Sequence, residues 1–200
     1  MEYDYEALEQ KKAELLRLAQ QAIRAHTETA GDTAESVVDS FIRLTPPTKP
    51  EMVIEMITMD SLGRGGGRSR KPGNIYLNWR KLIDTIPDVT IAAVGGATAP
   101  GWLLPLIGLY VWNKLWCNSE EELTEVEATA ICALWKNKNS DNRISEDDGY
   151  EKTNAHRKEM GLPLLSRSQF DAAMNRLLRM ECIEIEEGII WLREWVRKVY

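Results

Sequence analysis

Between Val89 and Trp112 the chain runs for 24 residues without a charged side chain, and no other stretch restricts its folding so strongly. A run of that length exceeds the roughly 20 apolar residues that cross a bilayer as a single helix. It is interrupted, however, by Gly95-Gly96, Pro100-Gly101 and Pro105. Such residues break a helix, and the short pieces left behind are typical of buried core helices or of a helical hairpin. Trp102, Leu103, Leu106, Tyr110, Trp112 and Trp116 are the candidate contacts here. They would meet a protein partner if the hairpin docks, or lipid if it inserts, since Trp and Tyr suit a lipid–water boundary.

The segment just upstream has the opposite character. From Asp60 to Asp84 there is no intervening acid, while Arg64, Arg68, Arg70, Lys71, Arg80 and Lys81 supply six positive charges. The whole chain has a net charge of −6, so the remainder carries −6 minus 6, or −12. The chain as a whole is therefore not a general polyanion binder. Leu62 to Gly73 (LGRGGGRSRKPG) has no apolar residue after its first and reads as a loop. It lacks the G-x-x-x-x-G-K-[ST] order of a phosphate cradle. Arg64, Arg68, Arg70 and Lys71 are instead candidates for a basic strap on nucleic acid or anionic lipid, with a plain linker as the alternative.

Several function classes drop out. Cys117, Cys132 and Cys182 are widely spaced with no CxxC pair, which argues against a zinc site or a disulfide framework and fits a reducing cytoplasm. No G-x-S-x-G, no H-E-x-x-H and no Cys with a matching His appears, so no catalytic residue, cofactor or metal is expected. The acidic, polar start MEYDYEALEQKK is unlike a signal peptide.

Asp4 to His26 reads as an amphipathic helix with Leu8, Leu15, Leu18 and Ala22 on one stripe. The stripe packs in its own domain or joins a second copy. A second helix is expected from Asp32 to Leu44, stopped by Pro46-Pro47, and Glu51 to Met59 fits either a strand or a short buried helix. Asn74 to Ile86 begins strand-like and turns helical around Trp79.

The last third is the most regular. Thr124 and Glu127 form a T-x-x-E capping box ahead of an apolar helical face. Arg143-Ile144-Ser145 fits a short strand, and a helix follows over about Glu146 to Met160, ended by Gly161 and Pro163. Ser166 and Gln169 form a second cap, followed by Phe170, Ala173, Met174, Leu177 and Leu178 at helical spacing. Cys182 to Glu186 then alternates with period two, Glu187-Gly188 turns, and Ile189 to Leu192 returns.

This order of helix, strand, helix, helix and hairpin resembles the winged helix-turn-helix superfamily over about eighty residues. The resemblance implies a third helix that can lie in a DNA major groove, with Arg167, Asn175, Arg176 and Arg179 as candidate contacts. Charge points elsewhere: Ser119 to Tyr200 holds 12 basic and 17 acidic residues, a net of −5. The hairpin that would be the wing carries Glu184, Glu186 and Glu187, which a phosphate backbone would repel. Asn137 to Asp148 also resembles an EF-hand calcium loop, but has Asn137 at its first, Asn142 at its sixth and Asp148 at its twelfth position. A polar turn leading into a strand accounts for the same residues.

The expected fold is mainly α with a small β-hairpin. It comprises an N-terminal helical region (1–60), the basic Gly-rich loop (61–73), a central apolar segment folded as a helical hairpin (74–118) and a winged helix (119–200). The expected role is a non-catalytic adaptor or accessory subunit that binds a larger protein partner, near nucleic acid, in the cytoplasm. A DNA-binding regulator and a membrane-associated effector inserting residues 89–112 are the alternatives.

Overall fold

The computed structural model describes residues 2–24, 34–35, 38–39, 41–49, 71–84, 101–116 and 123–200. Arg64, Arg68, Arg70, the segment Glu51 to Met59, the first half of the apolar run and Cys117 lie outside the described residues.

Helix α1 spans Tyr5–Arg24, and Asp4 caps it by accepting from the Ala7 N–H at 3.0 Å. Leu15, Leu18, Ala19, Ala22 and Ile23 form its buried side. That side packs against α3 (Leu103–Trp116), so the stripe is used within the chain.

Strand β1 (Ile42–Thr45) replaces the end of the helix expected to reach Leu44. Ile42 and Leu44 alternate with Arg43 and Thr45, and this period of two suits a half-buried strand. Pro46 therefore follows a strand, not a helix. Strand β2 (Asn74–Asn78) runs antiparallel to β1 and leads into the short α2 (Trp79–Asp84), whose first turn is capped by the Asn78 side chain.

Helix α3 is buried almost all round, from Leu103 through Leu115. Pro105 does not break it, because it stands in the first turn, where the N–H has no helical partner to lose. Gly108 lets α3 approach α2, since a Cβ there would lie 2.5 Å from a methyl of Leu82. Of the helical hairpin expected over 74–118, α2 and α3 are described, and the residues between them, 85–100, lie outside the described residues.

Next come α4 (Glu125–Asn137), β3 (Arg143–Ser145), α5 (Glu146–Glu159), α6 (Arg167–Arg179), β4 (Ile183–Glu186) and β5 (Ile189–Leu192). Both capping boxes read from the sequence are present, at Thr124/Glu127 and Ser166/Gln169. Strand order is β3-β5-β4, with Ile144, Ile183, Ile190 and Leu192 turned to the core. The hairpin turn has φ +51° at Glu187 and +76° at Gly188, the two left-handed residues that a two-residue turn of this hand requires.

A sixth strand, β6 (Trp195–Val199), was not foreseen. It crosses back to pair antiparallel with β2, giving a second sheet in the order β1-β2-β6. Tyr200 ends the chain clasped to Gly73 by two backbone hydrogen bonds of 2.9 and 3.0 Å. Its ring fills the space where a Gly73 Cβ would sit. The fold is therefore mixed α and β, with six helices and two small antiparallel sheets among the described residues. One continuous apolar core runs from Leu15 to Val196.

Candidate interaction surface

Helix α6 stands on the surface of the C-terminal region, fixed by Phe170, Ala173, Met174 and Leu177 beneath it. Its C-terminal carbonyls are tied down as well. Trp112 of α3 donates its indole N–H to the Met180 carbonyl at 2.7 Å, joining the apolar helix to the end of α6.

The arginines expected to meet nucleic acid on α6 are compensated within the chain. Arg167 donates to Asp147 at 2.6 Å and to Asp171 at 3.0 Å, with Glu146 at 3.4 Å. Those carboxylates hold its guanidinium above even its usual high pKa. Arg176 is bound at 2.5 Å to Glu127, a buried carboxylate that also closes the α4 capping box. Exposed on α6 are Arg167, Ser168, Gln169, Ala172, Asn175, Leu178 and Arg179. The structure therefore brings Arg167, Asn175, Arg176 and Arg179 onto one helix, where Arg167 and Arg176 already hold carboxylates.

The apolar contact set is divided. Leu103, Leu106 and Trp112 are core residues, so the contact expected of them is turned inward. Trp102, Tyr110 and Trp116 are half-buried, and Trp116 stacks on Trp112 with ring centroids 5.3 Å apart. Among the described residues no helix is long and apolar enough to cross a membrane. Of the basic strap only Lys71 is described. It is exposed, and its backbone is pinned beside Thr48.

The loop that resembles a calcium site uses its oxygens locally. Asn139 Oδ1 accepts from the N–H groups of Asp141 and Arg143, both at 2.9 Å, and Ser145 caps α5 through the Asp148 N–H. Asn142, in the position where the calcium loop takes glycine, adopts φ +59°. Among the described residues no His, Cys, Asp or Glu trio converges as a metal site.

Beside this turn the outer face of the β3-β5-β4 sheet is hollowed into an open cavity of about 440 Å³. Arg143, Ser145, Ile189, Trp191, Glu186 and Glu187 line it. The pairing register sets Arg143 opposite Trp191, and the guanidinium lies 3.5 Å from the ring centroid. Neither residue was among the expected contact residues; Arg143 was read only as part of a strand. Alternation along Ile189 to Leu192 is the signal that could have put Trp191 on the outer face, but only the strand register brings Arg143 to it. Comparison with family models, with curated proteins and with solved structures finds no match to this chain.

Proposed function

We propose that the protein is a non-catalytic adaptor whose C-terminal region is a winged helix used to bind a protein partner. The element order α4-β3-α5-α6-β4-β5 and the strand order β3-β5-β4 support the winged-helix reading. The observation that carries the choice of partner is the neutralised α6: Arg167 and Arg176 already hold carboxylates, and the hairpin tip is Glu186-Glu187. A phosphate backbone laid along α6 would have to displace those ion pairs and approach an acidic tip, both unfavourable. A protein surface can instead use the exposed Leu178 and the uncharged Asn175 without breaking anything.

Two measurements test this reading. A photoreactive side chain at position 178 should give one discrete protein adduct in the native host, and nuclease treatment should not abolish it. Fluorescence anisotropy with duplex DNA between about 50 and 200 mM salt should show only weak, sequence-independent association. A tight, sequence-specific complex lost in Arg179→Ala would replace the adaptor by a DNA-binding regulator.

A further inference from the structure

The cavity on the outer face of β3-β5-β4 has an unusual balance of groups. Arg157, Arg167, Arg176 and Arg193 each meet a carboxylate. Arg143 has the Trp191 ring beside its side chain and no ion-pair partner among the described residues. Its Nε–H is buried without an acceptor, and so is the indole N–H of Trp191. Both atoms are covered within the stacked pair, so what the cavity can reach is the rest of the guanidinium, a cation held over Trp191. The planar guanidinium fork matches a carboxylate, and stacking on Trp191 fixes its orientation in advance.

The same cavity carries the second half of the pattern. Glu186 and Glu187 line the same cavity, and neither side chain is engaged by a cation among the described residues. They would repel a chain of phosphates and attract an ammonium or guanidinium. The apolar wall between the two ends is Ile189. An open groove of this kind suits extended side chains more than an enclosed metabolite.

The geometry points to a peptide-binding site: a partner segment sets an acidic side chain on the Arg143 guanidinium where it is held over Trp191, and a basic side chain on Glu186 and Glu187. This rests on the protein-partner reading above and gives that partner its local chemistry.

The probe is a short capped peptide carrying one aspartate and one lysine, titrated into the full chain. The readout is the Trp191 indole N–H resonance, identified by its loss in Trp191→Phe. Companion titrations use the acid-only peptide, the lysine-only peptide, acetate and single-stranded oligothymidylate. The mixed peptide should shift the resonance saturably and more tightly than either single-charge peptide. Arg143→Ala should weaken it by about tenfold or more, and Arg143→Lys, which keeps the charge but not the fork, should weaken it as well. Glu186→Gln with Glu187→Gln should erase the preference for the mixed peptide over the acid-only one. No shift with any peptide, or acetate matching the mixed peptide, overturns the proposal; so does tighter, salt-steep binding of oligothymidylate. If the position-178 adduct forms while every peptide fails, this site is wrong and the adaptor stands. If the adduct is absent and specific duplex binding appears, the adaptor itself fails.

Discussion

His156 on α5 is buried, and its Nε2 finds no hydrogen-bond partner among the described residues. Burial lowers its pKa below the ordinary 6.5, and Lys136 lowers it further, against a smaller opposing pull from Glu159 at 3.8 Å. The neutral form is therefore the one the fold accommodates. Stability should be fully present above the unfolded value near 6.5, and should be lost as pH falls through the lowered folded value. Melting temperature should drop on acidification from about pH 7 to pH 5, and His156→Gln should flatten that part of the curve. An unchanged slope in the variant would assign the acid sensitivity to other groups. Cys132 obeys the same physics in another form. Burial in the core pushes its thiol up to about 12, with Lys136 only partly opposing, so the nucleophilic thiolate is scarce at neutral pH. An aromatic disulfide reagent should leave Cys132 and the equally buried Cys182 unmodified in the native protein. It should titrate both after denaturation.

The hairpin between β4 and β5 shows how local chemistry and function can diverge within one element. Its turn needs two left-handed residues, and glycine supplies one at no cost. Glu187 supplies the other against its steric preference, where Asn is the favoured residue. Glu187→Asn should therefore stabilise the protein by about 0.5 to 1 kcal/mol, read from the denaturant midpoint at unchanged slope. The same change should weaken the mixed-charge peptide described above. This turn was legible in the sequence because two residues determine it. So were the Thr124 and Ser166 caps, whose bonds close within three residues. Strands β1 and β6 were not. Ile42 to Thr45 continues a helical pattern in sequence, and Trp195 to Val199 mixes aromatic, basic and β-branched residues without a clean alternation. Both are strands because β2 lies between them, and β6 is more than a hundred residues away from it along the chain. The Arg143–Trp191 contact was hidden for the same reason: it depends on a cross-strand register that no local spacing encodes.

Over the whole molecule, the last strand ties residues 74–78 to residues 195–199. Val196 lies opposite Leu77, and both are buried in a core that also holds Ile23 of α1 and Ile190 of the other sheet. Trp79 donates its backbone N–H to the Glu194 carbonyl at 3.0 Å, so α2 starts where β6 begins. Helix α3 extends the same continuity, with α1 on one side and α4 on another. A chain whose segments share one core should unfold as a unit, because no part can open without exposing apolar surface of the rest. Val196→Ala removes two methyl groups from the β1-β2-β6 sheet and should cost about 1 to 2 kcal/mol; Ile190→Ala in the β3-β5-β4 sheet should cost about 2 to 4 kcal/mol. Each substitution should move one common transition, followed in parallel by far-ultraviolet circular dichroism and by tryptophan fluorescence. If Val196→Ala instead split the curve, with an early step that Ile190→Ala leaves in place, the two sheets would belong to separately stable units. The pairing of β6 with β2 would then be a docking contact between them, not part of a common core.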